Sequence, residues 1–227
     1  MTRTLAILAL LLAVLTPALA SARPKLTPAM CEMLGMADEY ISRFDYWDGK
    51  PRPNLVESFY PHEGKLAAAY EKLIAAYKKE SGAKLTHKRI VGPQGHITIA
   101  SNTLDKIING FYVQKDKIAT LDPKLILGAS RACQLRYVKG AYARYGDQGR
   151  NAMRMANAGM KVETLGLVLK KLGCKKAAVF TTETIPTGTM VFFEPGGAIE
   201  RALPVTKRLS QAEYQKVWEA AKLFKQL

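Results

Sequence analysis

Cys133, flanked by Arg131 and Arg136 near the start of an expected helix, is the residue of this chain best suited to nucleophilic chemistry. Neighbouring cations and a helix start both lower a thiol pKa towards the reactive thiolate. Such a nucleophile also needs a base. His96, expected on the polar face of a hairpin, is the best available in the sequence. The competing reading is structural, because Cys133 falls at the margin of an apolar stripe, where a thiol is ordinarily core. His87 and His96 would stand four strand positions apart, roughly 13 Å at about 3.3 Å per residue, too far to share a metal ion. His62-Glu63 lacks the H-E-x-x-H spacing that puts two ligands on one helix face. No metal site and no cofactor are expected.

Charge offers a second chemistry. Between Pro123 and Met160 stand seven basic residues (Lys124, Arg131, Arg136, Lys139, Arg144, Arg150 and Arg154) against the single acid Asp147. A solvated helix usually mixes signs, so this imbalance points to an anion-binding face. Arg131, Arg136, Lys139 and Arg150 are its expected contacts. The loop over residues 45 to 62 interleaves Trp47 and Tyr60 with Lys50 and Arg52, a pattern that suits stacking on a sugar ring or a base. Asp45, Asp48, Glu57 and Glu63 could furnish paired carboxylates for glycan hydrolysis. His87, Lys88 and His96 offer ribonuclease-type acid–base groups, although Lys88 would face away from the two histidines.

Elements of both periods must position these groups. Thr27-Pro28 reads as an N-cap and first helical residue, opening a helix to about Phe44. A second amphipathic helix carries Leu66, Tyr70, Leu73, Ile74 and Tyr77 and ends at Ser81-Gly82. Residues 85 to 91 and 96 to 101 read as a hairpin around Gly92-Pro93-Gln94-Gly95, with Val91 opposite His96. A short helix follows from Thr103 to Phe111. A long helix is expected from Pro123 to about Tyr145, then another across Asn151 to Leu172. Strands are expected at 177–182, 189–193 and 198–205, and Ser210-Gln211-Ala212-Glu213 forms a capping box that opens the last helix. No repeat of fixed period is apparent. The reading is α+β, a mainly helical single domain over residues 23–227 with a small antiparallel sheet built from hairpins.

Residues 1–22 have the form of a signal peptide: Arg3, the apolar run Leu5 to Leu15, then small residues through Ala22. The expected location is therefore periplasmic or secreted. The formal net charge of +15 favours anionic partners. In an oxidising compartment Cys31, Cys133 and Cys174 permit one disulfide and one leftover thiol, and the pairing stays open among the three.

The segment RACQLRYVKGAYARYG, followed later by PTGTMVFF, resembles slightly the NlpC and CHAP cell-wall cysteine peptidases, which place a nucleophile at a helix start. The resemblance implies Cys133 as that nucleophile. However, Thr189 stands where those families have aspartate, and no histidine follows Cys133, so membership is not assigned. The expected function is that of an exported, non-catalytic binder of anionic envelope polymers (cell wall or lipid head groups) or of a protein partner. The alternative is a cell-wall hydrolase, using Cys133 with His96 or a carboxylate pair, and a secreted nuclease ranks third. Nucleic acid is not the favoured partner, and no transmembrane segment is expected in the mature chain.

Overall fold

The computed structural model describes residues 24–38, 52–115, 118–147, 149–156, 158–181 and 187–223. The proposed signal peptide, Trp47, Asp45 and Asp48 lie outside the described residues. In order, the elements are α1 (Pro28–Met36), β1 (Leu55–Phe59), a 3-10 turn (Pro61–Glu63), α2 (Gly64–Ser81), β2 (Lys88–Val91), β3 (Ile97–Ala100) and α3 (Leu104–Asn109). A hairpin of β4 (Tyr112–Lys115) and β5 (Ile118–Leu121) and the short α4 (Pro123–Gly128) come next. Then follow α5 (Arg131–Tyr145), β6 (Ala152–Ala156), α6 (Gly159–Lys171), β7 (Ala177–Thr181), β8 (Gly188–Phe193), α7 (Gly197–Ala202) and α8 (Gln211–Leu223).

The architecture is α+β with small antiparallel sheets, as the periodicity indicates. It also contains a repeat that the sequence conceals. Residues from α1 to α3 and from α5 to α7 both run helix–strand–helix–strand–strand–helix. Both build a three-stranded sheet with the last strand in the middle, β1-β3-β2 in the first half and β6-β8-β7 in the second. The two halves are joined by the β4–β5 hairpin and α4.

The opening helices of the two halves, α1 and α5, lie against each other at the centre. Every residue of α1 from Ala29 to Met36 is buried, as suits a helix without a solvent face. Glycine lets the pair approach closely. A Cβ placed on Gly35 would lie 2.0 Å from the Tyr137 carbonyl oxygen, and one on Gly140 would lie 2.1 Å from that of Glu32. The Cys31–Cys133 disulfide ties the two helices together, with Cα atoms 5.5 Å apart. The inner sheet faces close over the pair with Phe59, Ile97 and Ile99 from the first half and Met153, Val191 and Phe193 from the second.

Five expectations about local structure need correction. The first helix stops at Met36, not Phe44, because Ala37 turns to an extended conformation. The helix from Pro123 is broken at Ala129, whose ψ of 164° ends α4, and Ser130 caps α5 by accepting from the Cys133 amide at 3.3 Å. The stretch expected to be helical from Asn151 begins as strand β6, and the strand expected at 198–205 begins as helix α7. The hairpin register is shifted by one. Val91 pairs with Ile97 because the loop has three residues and ends on Gly95 at φ +77°, the αL position such a loop requires. Ile90 therefore shares a face with Thr98, not with the core.

Candidate functional site

Among the described residues, two places that gather polar groups bear on function. The first is the junction where α1 and α5 end. The Arg144 side chain is 1% exposed and all five of its N–H groups have acceptors. Nε donates to Glu63 Oε1 at 2.9 Å, and Nη2 donates to Glu63 Oε2 at 3.0 Å and to the Ser58 carbonyl at 2.8 Å. Nη1 donates to the Met36 carbonyl at 3.0 Å and to Glu57 Oε1 at 3.2 Å. Asp38 Oδ2 adds a longer ion pair at 3.7 Å. Burial opposes the guanidinium charge, but Glu57, Tyr145 and Glu63 outweigh it and hold the Arg144 pKa above its ordinary value. Lys161 of α6, 2% exposed, donates to the carbonyls of Leu34 and Ala37, and the Tyr145 hydroxyl donates to Ala37 at 3.0 Å. These donors satisfy the last carbonyls of α1, which no intrahelical amide can reach, and the cations favour the negative end of its dipole. That is why α1 ends where it does.

The second place is the outer face of the first sheet, away from α1. Strand alternation puts Ser58, Thr98, Lys88 and Ile90 on it. Arg52, Pro53, Asn54, Leu55 and Ala100 complete an open cleft of about 390 Å³. Ile90 is 51% exposed. The Asn54 backbone sits at φ 63°, held by its amide donating to Asp105 Oδ2 at 2.9 Å. Lys88 and Arg52 flank the cleft with positive charge, so the face offers hydrogen-bonding side chains, the apolar Pro53, Leu55, Ile90 and Ala100, and two exposed cations.

The equivalent face of the second sheet is not open. Ala152, Met190 and Phe192 are buried there under Tyr214 of α8, with Phe180, Ala178 and Leu209 around them. The buried Asn151 side chain staples the approach to α8, donating to the carbonyls of Phe193 at 2.8 Å and Leu209 at 3.0 Å and accepting from the Leu209 amide at 2.9 Å.

The sequence-expected residues are dispersed. Cys133 is bonded to Cys31, so it has no thiolate to offer, and His96 lies 5.5 Å from the Tyr60 ring instead. The cysteine-nucleophile reading ends there. Glu57 and Glu63 do come together, but on Arg144 and not around a cleft that could admit a glycan. Arg136 and Lys139 both face Glu32, at 2.6 and 3.8 Å. Arg150 stands 3.7 Å from Asp147, and Arg131 is exposed with Nη2 3.4 Å from the Leu172 carbonyl. Tyr60 stacks on His62, centroids 5.8 Å apart. Cys174 is a buried free thiol whose pKa burial pushes up to about 11, against a lowering hydrogen bond from Gly196. Arg144, Lys161 and the outer sheet face were not singled out from sequence. The one available signal was Gly35 and Gly140, each a helix-interior glycine, which costs stability unless close packing requires it.

The sequence matches no protein-family model and no curated protein. Solved structures do match. A mesophilic variant of the homing endonuclease I-DmoI superposes with a TM-score of 0.55 at 13% identity, over 79% of this chain and 96% of the other. I-DmoI in complex with DNA and Ca gives 0.53 at 13% identity, over 74% and 83%. The complex with DNA and Mn gives 0.56 at 13% identity, over 82% and 100%. At this identity the likeness shows a shared fold.

These neighbours correct the expectation of an envelope binder, and with it the cell-wall hydrolase. All three are structures of a homing endonuclease, two of them in complex with DNA, and none is named for envelope polymers. The two DNA complexes also contain Ca or Mn, so the residues present here must be tested against a divalent ion. Among the described residues no three His, Cys, Asp or Glu side chains are disposed to hold a metal ion. The carboxylates that do converge, Asp38, Glu57 and Glu63, are engaged by Arg144. These residues do not fit a divalent cation. No helix among the described residues is long and apolar enough to cross a membrane.

Proposed function

We propose that this chain binds nucleic acid, and that the outer face of its first sheet is the contact surface. The observation that carries the reading is that face itself. Polar and cationic side chains (Arg52, Asn54, Ser58, Lys88 and Thr98) are left open on a sheet whose counterpart is covered. A two-stranded ribbon or a sheet fits a duplex groove, and a chain with a net charge of +15 approaches a polyanion favourably. The fold shared with DNA-bound endonucleases supports the same class of partner. Lys88 and Arg52 would take phosphates, while Asn54, Ser58 and Thr98 supply short donors and acceptors at the centre.

The test is fluorescence anisotropy of a labelled duplex against the full chain, at 50 and 200 mM salt. Two neutralised phosphates should weaken binding about tenfold over that range, from the counterion-release slope. Arg52→Glu with Lys88→Glu should flatten the slope and abolish most binding. Lys79→Glu with Lys84→Glu, in the separate cleft at the end of α2, makes the same charge change and should cost far less. Equal losses from both pairs would reject the face.

A further inference from the structure

The pocket at the helix ends is built from oxygen. Glu57 Oε1, both carboxylate oxygens of Glu63, Asp38 Oδ2 and the carbonyl oxygens of Met36 and Ser58 surround one centre. Carboxylates mixed with backbone carbonyls are what hard divalent cations accept. Here the centre is a side chain. We propose that the Arg144 guanidinium is the permanent cation of this pocket and closes it to divalent ions, so that the chain holds nucleic acid without cutting it. The last clause rests on the nucleic-acid reading, whereas closure of the pocket does not.

Geometry and charge both support closure. Each N–H of the guanidinium meets its own acceptor, so these oxygens are already engaged while Arg144 is in place. The Phe59 and Tyr145 rings hold the same group, 4.9 and 5.7 Å from its carbon. An entering dication would have to displace a 1% exposed side chain. It would also meet the fixed charge of Arg144 and that of Lys161, which stands 5.2 Å from the Tyr145 ring. The two halves contribute opposite signs: Asp38, Glu57 and Glu63 come from the first, Arg144 and Lys161 from the second. The pocket therefore also ties the halves together. Metal-assisted cleavage of a phosphodiester needs an ion to generate the nucleophile or stabilise the leaving oxygen. With the converging carboxylates held by Arg144, the described residues supply no seat for it.

The experiment is Mn2+ titration of the full chain, read by electron paramagnetic resonance and by melting temperature. Wild type should leave the free Mn2+ signal undiminished, and its melting temperature should be the same with Mn2+ or with a chelator. Arg144→Ala should take up about one Mn2+ per chain. Its melting temperature should rise by roughly 5–10 °C at a hundredfold excess over Kd. Arg144→Lys, which keeps a cation, should again exclude Mn2+. Should Arg144→Ala be unfolded, refolding on addition of Mn2+ or guanidinium ion supports the proposal, and failure of both overturns it. Stoichiometric uptake by wild type, or a folded Arg144→Ala that ignores Mn2+, also overturns it. Supercoiled plasmid should stay intact with wild type and Mn2+, and nicking that disappears in Glu57→Gln would overturn the non-cutting clause. If the nucleic-acid reading is what fails, duplex binding is absent while the Mn2+ results stand.

Discussion

The two halves share an order of elements and a sheet topology, yet they finish the outer sheet face in opposite ways. In the first half Ser58, Thr98, Lys88 and Ile90 face outward beside an open cleft. In the second, Met190 and Phe192 are buried under Tyr214. The difference lies in side-chain chemistry and in the element that succeeds each half along the chain. The second sheet carries large apolar groups on its outer face, and α8 buries them. Apart from Ile90 and Leu55, the first carries mainly groups that water can satisfy, and no element among the described residues covers it. A repeat can thus keep its internal packing, which the α1–α5 contact imposes on both halves, and still specialise at its surface.

The largest effect should come from the contact the halves have in common. Gly35→Ala or Gly140→Ala forces a Cβ against a backbone carbonyl and should cost beyond about 4–5 kcal/mol, measured by urea unfolding. A cost under about 1 kcal/mol would mean the helices are not so close. Next comes the contrast between faces. Phe192→Ala on the covered face should cost about 3–5 kcal/mol, whereas Thr98→Ala on the open face should stay within about 0.5 kcal/mol. Similar costs would erase the comparison.

Replacing Cys31 and Cys133 together by serine should cost about 2–4 kcal/mol, since the bridge closes a loop of 102 residues. The smallest effect is at Tyr214, whose hydroxyl has no hydrogen-bond partner among the described residues. Burial, with Asp147 adding to it and Arg150 and Arg154 opposing, pushes its pKa up to about 12 from 10.0. The phenol stays protonated in the folded chain while the unfolded chain ionises. Stability should therefore be complete below pH 10 and fall as pH rises from there towards 12. Tyr214→Phe should shallow that decline without removing it, because burial also raises Tyr77 and Tyr142.

Local signals were legible where local physics decides. Thr27 and Pro28 do start α1, Gly82 ends α2 at φ +75°, and the Ser210–Glu213 box opens α8, with the Ser210 amide donating to Glu213 at 2.7 Å. β6 was not legible, because Ala, Met and Arg are good helix formers and only pairing with β8 makes the segment a strand. The repeat was hidden because corresponding elements are unevenly spaced and the halves differ in residues. Arg144 read as one more member of an anion-binding basic face. Its burial follows from carboxylates at Asp38, Glu57 and Glu63, which no local pattern connects to it.

Amide hydrogen exchange of the full chain, with and without a saturating duplex, tests the division of labour between the halves most directly. Protection confined to 52–54 and to β1, β2 and β3, with β6, β8 and α8 unchanged, is the expected result. Protection centred on the second sheet or α8, or none anywhere under conditions where the duplex is bound, would contradict it.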